Sequence, residues 1–430
     1  MRGWLSRPGL RFVGVLVAAL VLAAVLRPLP PRFVFRHGGD CVRYLDWSRV
    51  VAERGLAAFP ALLGEWHARW VGFPPPTRWT WLLLIAGAMR LWPYAPGPDP
   101  GFVHDDYAPI VLISWLAGVL SLVPLGLWLR RLAPLGVTAL VLLLAATSPL
   151  LRGMSRFPLP DSLQLFNTLA VLWATSEWMV SRRRWLLVAQ ALSAFLLCTV
   201  RETGLLSVLT AAALAGWQQG RPLPDGSGGE AGAAGGEARR AGRARARVVW
   251  LALLAGCVLA LVLTLPVVGG PAPFVNAVVT YVGSVLRTGN LAYVSGPPYR
   301  YLVDFMIVAP AVTATALMAA PLLLVQRRAG LRELVPAAVL VTLLLLVTNS
   351  ALTKTLRYVM AVEVGMRILA AAAVYALWQD GRPWHRRAAL ALGITLVAVD
   401  QALFRALFAR DQVYDPVTWS IARQLGLIPR

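Results

Sequence analysis

The chain has 430 residues, 58% of them hydrophobic and 14% charged, and a mean hydropathy of +0.65, which is more apolar surface than one soluble core can hide. Its net charge of +21 would suggest nucleic acid in a soluble domain. Here the arginines sit in short segments between apolar blocks about twenty residues long, the pattern of retained cytoplasmic loops, so no nucleic-acid partner is expected.

The pattern predicts an all-α polytopic membrane protein. Arg2, Arg7 and Arg11 precede an apolar run that reaches Leu29 without a small-residue cleavage site, which reads as an uncleaved signal anchor. Apolar blocks long enough to span run over about 12–29, 109–129, 133–151, 162–180, 185–200, 203–218, 248–268, 301–325, 333–349, 358–378 and 387–407, about eleven transmembrane helices. With the N-terminus inside, the connectors Arg130-Arg131, Arg182 to Arg184, Arg239 to Arg247, Arg327 to Arg332 and Arg382 to Arg387 all fall on the cytoplasmic side. If the short block from Trp79 to Trp92, which contains Arg90, also spanned, every later Arg cluster would flip outward. It is therefore expected to lie on the outer face as an interfacial helix anchored by Trp79, Trp81 and Trp92.

This topology divides the chain in three. Residues 1–218 form a first transmembrane module with a long extracytoplasmic loop at 30–108. A Gly/Ala/Arg-rich stretch at 219–247 reads as a disordered cytoplasmic linker, either purely topogenic or binding anionic lipid heads through Arg239 to Arg247. Residues 248–430 form a second module with an extracytoplasmic tail. Of the three cysteines, Cys198 and Cys257 lie in apolar blocks, so no disulfide framework is implied.

Polar residues gather in the outer loops. Asp40 follows the first span in the run Arg36-His-Gly-Gly-Asp40-Cys-Val-Arg43-Tyr44-Leu-Asp46. From Cys41 to Arg54 the helical wheel puts Arg43, Asp46, Arg49, Glu53 and Arg54 on one side and Cys41, Tyr44, Leu45, Val51 and Ala52 on the other, an amphipathic surface helix with Asp40 at its start. Asp40 there is either a helix cap or a chemical group. A second surface helix is expected over Leu56 to Trp70. In Ser148 to Ser162, Pro158 and Pro160 forbid a continuous helix. Asp161 there suits the N-cap of the next span, and Arg152 and Arg156, on the side where positive charge is unusual, suit phosphate. Arg201-Glu202 lies between two spans as either a self-neutralised pair or a site. Tyr299-Arg300-Tyr301 and Lys354 with Arg357-Tyr358 are weaker signals, since interfacial Tyr and Arg are ordinary anchors. There is no Walker loop, no GxGxxG opening a helix after a strand, no HExxH and no GxSxG, so nucleotide-driven, nicotinamide and His-based metal mechanisms lose support.

An acid after the first span, a Pro-rich step (Phe73-Pro-Pro-Pro-Thr-Arg78), Arg156-Phe-Pro-Leu-Pro-Asp161 before a later span, and Arg201-Glu202 two spans further on form an ordered set. This set resembles the GT-C superfamily of membrane glycosyltransferases, in particular its protein O-mannosyltransferase and aminoarabinose-transferase branch. The resemblance covers Leu10 to Trp217, with an echo in Gly296 to Tyr301 and in Leu356-Arg-Tyr358. It implies that Asp40 and Asp161 are the catalytic acids, Asp40 as general base. Arg201, Arg300, Arg78 and Arg156 would contact the donor phosphate, and Arg43, Tyr44 and Glu202 would support them. The family often has Lys before the proline step; Phe73 stands there in this chain, and Arg78 is the candidate substitute. The implied activity is inverting transfer of a sugar from a polyprenyl-phosphate donor to a hydroxyl acceptor on a protein, glycan or lipid, at the extracytoplasmic face of a bacterial plasma membrane. No cofactor is required by this chemistry, and Asp40 and Asp161 sharing a divalent metal is the one metal reading. The alternatives are a polyprenyl-lipid or solute transporter or flippase, and a non-catalytic assembly subunit.

Overall fold

The computed structural model describes residues 8–27, 40–71, 74–91, 108–219, 233–287, 296–297, 299–326, 328, 330–350 and 355–409, with single positions at 417, 420 and 424. Among the described residues the regular structure is entirely helical. Helix α1 (Pro8–Leu26) is the first apolar block. Helices α2 (Asp40–Arg54), α3 (Phe59–Arg69) and α4 (Trp79–Leu91) follow it. Then come α5 (Ala108–Leu120), α6 (Leu122–Leu132), α7 (Leu135–Thr147), α8 (Pro149–Met154), α9 (Asp161–Ser181), α10 (Trp185–Val200) and α11 (Gly204–Gln218). The second half holds α12 (Ala233–Val267), α13 (Pro271–Arg287), α14 (Arg300–Val308), α15 (Pro310–Gln326), α16 (Leu334–Ser350), α17 (Met360–Gln379) and α18 (Pro383–Leu403).

Each of the eleven predicted spans falls on helix. Five helical stretches are by themselves long and apolar enough to cross a bilayer, namely Pro8–Leu26, Ile110–Leu132, Arg240–Val267, Leu356–Gln379 and Pro383–Ala409. Two spans are built differently from expectation. The block at 301–325 is broken into α14 and α15, because Pro310 keeps Ala309 out of the helical region (φ −144°, ψ 57°). The stretch expected to be a disordered linker is helical from Ala233 onward and runs directly into the span as α12. Its Ala and Arg residues are good helix formers, and its positive charge does not oppose a helix. Positions 220–232 lie outside the described residues.

The amphipathic helix after the first span is present as α2, with Cys41, Tyr44, Leu45, Trp47, Ser48 and Val51 buried. Its inner face rests on α4, so protein, more than lipid, receives it. The second surface helix is a 3-10 turn at Gly55–Ala58 followed by α3. In α4 the tryptophans do not act as an interfacial belt. Trp81 is fully buried, and Trp79 is buried with its indole N–H donating to Thr264 Oγ1 of α12 at 2.8 Å. Trp92 lies outside the described residues. Arg90 donates to the Ala52 carbonyl at 2.8 Å, tying the far end of α4 to α2.

Helix α17 is the central post, packed on α7, α9, α15, α16 and α18. Its run Ala370 to Ala373 has small side chains that let neighbouring helices approach closely, as membrane interiors favour. The second helical pair that matters is α9 and α10. They are antiparallel neighbours joined by the turn at 182–184, where Arg182 adopts a left-handed conformation (φ 54°). This hairpin returns the end of α10 to the level at which α9 begins, which brings Arg201 beside Asp161.

Candidate functional site

The site is assembled from helix ends. Asp40 occupies the first turn of α2, Arg78 the residue before α4, Asp161 the first turn of α9, Arg201 and Glu202 the link from α10 to α11, and Arg357-Tyr358 the 3-10 turn before α17. First-turn carboxylates sit where the helix dipole favours negative charge. In the link, Gly204 is required by space: a Cβ there would lie 2.0 Å from the Leu197 carbonyl oxygen. Its N–H donates to the Arg201 carbonyl at 3.0 Å, closing the turn that presents Arg201 and Glu202.

Three acids meet three arginines at this end of the bundle. Arg357 Nη2 donates to Asp40 Oδ2 at 2.9 Å. Arg201 donates to Asp161 Oδ1 and, at 3.4 Å, to Gln164 Oε1. Arg78 grips Glu202 through Nε at 3.1 Å and Nη2 at 2.7 Å, and also donates to the Tyr44 hydroxyl. The pairs are linked through Tyr358, whose ring lies 4.0 Å from the Arg201 guanidinium and 5.1 Å from that of Arg357. Arg78, Arg201 and Asp161 are buried. Arg201 Nε and Asp161 Oδ2 are both buried without a hydrogen-bond partner, so the cluster retains unsatisfied polar capacity. A small cavity lined by Asp161, Gln164, Thr203, Asn349, Arg357 and Tyr358 opens beside it.

Burial pushes the Asp40 carboxyl up, but Arg357, Arg78 and Arg201 together outweigh it and hold Asp40 below the usual carboxylate range. Asp40 is therefore an anion at neutral pH, with Oδ2 committed to Arg357. An ionised carboxylate can accept a proton from a hydroxyl group.

The site residues selected from sequence divide into two sets. Asp40, Asp161, Arg201, Arg78, Tyr44 and Glu202 come together. Three others have other nearest partners. Arg43 stacks on Trp70 at 3.2 Å and pairs with Asp46 at 3.4 Å, so the cation holding Asp40 is Arg357 and not Arg43. Arg300 faces Asp304 at 3.6 Å within its own helix, which packs on the 3-10 turn that carries Arg357 and Tyr358. Arg156 lies 5.8 Å from the Phe404 ring, beside Arg152, in a separate cluster. Arg201 and Glu202 do not neutralise one another, because each has a long-range partner. Asp161 is the first residue of α9 and not its N-cap, which is Pro160, and its carboxylate serves Arg201. Asp40 and Asp161 each carry an arginine, and among the described residues no group of three or more His, Cys, Asp or Glu gathers in a metal-binding arrangement. Arg36, Phe73 and Lys354 lie outside the described residues.

Arg357 was visible in the sequence only as a weak anchor. The signal it did carry is the one that marked Arg152 and Arg156: an arginine at the end of a span that the charge parity assigns to the outer side, where the positive-inside rule disfavours it. Gln164 and Thr203, which hydrogen-bond to each other at 3.0 Å beside Arg201, carried no local signal.

No family model matches the chain, and no curated protein matches it. Among solved structures, ArnT from Cupriavidus metallidurans in the apo state is similar over 96% of this chain and 75% of that chain, at 14% identity and a TM-score of 0.47. The same protein bound to undecaprenyl phosphate is similar over the same shares, at 17% identity and a TM-score of 0.48. By its own helices and their hydropathy, this chain is an all-α, multi-pass membrane protein.

Proposed function

We propose that the chain is a GT-C-type inverting glycosyltransferase that moves a sugar from a polyprenyl-phosphate carrier to a hydroxyl acceptor on the extracytoplasmic face of the membrane. The observation that carries this reading is the meeting of Asp40, Arg78, Asp161 and Arg201, four residues that the GT-C resemblance selects from distant parts of the sequence, in one charged cluster at the helix ends. Asp40 acts as general base. It takes the acceptor hydroxyl proton as the acceptor oxygen forms its bond to the anomeric carbon, and the bond from the anomeric carbon to the phosphate oxygen breaks with its electron pair going to the phosphate. The lipid phosphate is a good leaving group without protonation. What it needs is positive charge in a dry setting, which Arg201 and Arg357 supply, with Arg78 held by Glu202 behind them.

Asp161 has a different part from Asp40. Its buried pairing with Arg201 orients that guanidinium, so it is a positioning residue in this reading. Donor binding requires that a phosphate join arginines already bonded to carboxylates, and the unpartnered Arg201 Nε is the donor available for it.

The test is transfer from a radiolabelled polyprenyl-phosphate sugar pool in membranes carrying either the wild type or Asp40→Asn. Transfer by the wild type alone, with equal expression and equal donor-lipid retention, is the expected result. Equal transfer by both would remove Asp40 as the base. No transfer by either, with carrier lipid crossing the bilayer only when the protein is present, would favour a flippase.

A further inference from the structure

A second charged cluster lies apart from the Asp40 site, where the C-terminal ends of α1 and α18 meet α8. Arg27, directly after α1, is fully buried. Its Nη2 reaches only the Ala145 carbonyl at 3.4 Å, and its Nε and Nη1 have no hydrogen-bond partner. Arg152 beside it is satisfied: Nε and Nη2 donate to the Leu26 carbonyl at 3.0 and 2.7 Å, Nη1 donates to Gln401 Oε1 at 2.7 Å, and the guanidinium stacks on Phe404 at 3.6 Å. Arg156, 5.8 Å from the same ring, has a buried Nε with no partner. Arg405, exposed on the π-helical turn after α18, also faces Arg152.

The acids nearby do not balance these charges. Among the described residues, Glu363 and Asp400 are the carboxylates facing the cluster, and both are bonded to Arg367, at 2.7 and 2.5 Å. A guanidinium with three unpaired N–H groups in a dry interior costs several kcal/mol unless an anion or equivalent acceptor meets it. Arg152 and Arg156 on one aromatic ring, with Arg27 and Arg405 beside Arg152 and the described acids already committed, therefore point to a ligand that brings negative charge and several acceptor oxygens.

We propose that Arg27 and Arg156, with Arg152 and Arg405 adding charge, form a second anion site that takes a phosphate group. The occupant is placed at a membrane lipid by where the site sits. Helices α1 and α18 carry lipid-facing apolar residues along their lengths, such as Val13, Val17, Val21, Leu390 and Ile394. The cluster stands at the outer ends of both, which is headgroup depth for the topology derived above. A phosphate there accepts from Arg27 Nε and Nη1 on its inner side and from Arg156 on its outer side.

The test uses the full-length protein purified in detergent. Bound lipid is counted by native mass spectrometry and thermal unfolding is followed with phosphatidylglycerol, undecaprenyl phosphate, inorganic phosphate or uncharged diacylglycerol added. Variants are Arg27→Gln, Arg156→Gln and, as a control on the opposite side, Arg131→Gln. The expected result is that the wild type and Arg131→Gln retain a phosphate-bearing lipid and gain thermal stability from it, while Arg27→Gln and Arg156→Gln lose one bound lipid and that gain. Preference for phosphatidylglycerol or for undecaprenyl phosphate assigns the source, and a gain from inorganic phosphate alone assigns a soluble phosphate to the same site. If Arg27→Gln does not fold, the half-buried Arg156 carries the test. The proposal is overturned if both variants keep the lipid and its stabilisation, or if Arg27→Gln is more stable than the wild type in every condition, the behaviour of a buried charge with no ligand.

Discussion

Asp40 and Arg357 define what pH should do to the reaction. The arginine is the largest opposing influence to burial on the Asp40 carboxyl, and the net effect is a carboxylate held below its ordinary range. A base with a depressed pKa is active above that pKa and loses activity as pH falls through it. The wild-type pH profile of sugar transfer should therefore keep its acidic limb below the ordinary carboxylate range. In Arg357→Gln burial is left less opposed, so the limb should move to higher pH while transfer near neutral pH falls less than in Asp40→Asn. An unmoved acidic limb in Arg357→Gln would separate Asp40 ionisation from the reaction. Arg201 is a different case, since its removal strands Asp161 in a buried site. Arg201→Ala should lower donor-lipid affinity and also destabilise the protein by about 3 kcal/mol, the penalty typical of breaking a buried pair. The double variant Arg201→Ala/Asp161→Ala should recover much of the stability and none of the donor affinity, which unfolding midpoints and lipid-retention measurements would separate.

At the scale of helices, the site depends on short links that have little freedom. The turn from α10 to α11 is held by Gly204, where an added Cβ meets the Leu197 carbonyl oxygen at 2.0 Å. Gly204→Ala must displace the backbone that carries Arg201 and Glu202, so transfer should drop severely while the helical fold persists by circular dichroism. A helix-to-helix tie of another kind joins α17 to α18 through Arg367, which bonds Glu363, Asp400 and the Leu144 carbonyl at 2.7 Å. All three side chains are fully or almost fully buried. Arg367→Met leaves two carboxylates unpaired and should cost roughly 3–5 kcal/mol, seen as a lower unfolding midpoint in detergent. These ties also mark the limit of what the sequence makes legible. Hydropathy located the spans because each helix must carry its own apolar length. It could not separate α14 from α15 except through Pro310, nor show that α12 begins at Ala233, because an Arg-rich helix and an Arg-rich loop have the same composition. The ion pairs were less visible still. Glu202 was adjacent to Arg201, yet its partner is Arg78, 124 residues away, and Asp40 finds Arg357 across 317 residues. Partners at that separation are set by how helices pack, which no local pattern records. Residue types at helix ends were readable, and their pairing was not.

For the whole molecule, sidedness decides which compartment both charged clusters face. The Asp40 cluster and the Arg27 cluster both stand at helix ends assigned to the outer face, by a chain of parity that starts from the Arg-rich connectors. Helices α9 and α10 make the parity testable, because their joining turn at Arg182 to Arg184 and their opposite ends at Asp161 and Arg201 must lie on opposite sides of the bilayer. Glu65 on α3 is exposed and belongs to the same side as Asp40, while Arg183 is exposed in the α9–α10 turn. In a background with Cys41, Cys198 and Cys257 replaced by Ala, Glu65→Cys should react with a membrane-impermeant maleimide on intact cells. Arg183→Cys should react only after the membrane is opened. The reverse pattern would put the acids and arginines of both clusters on the cytoplasmic side, where an extracytoplasmic acceptor cannot reach Asp40, and the transfer reading would have to give way to chemistry on the inner leaflet. Labelling of both positions from outside would mean that α9 and α10 do not cross as a pair, which breaks the parity on which every later helix is placed.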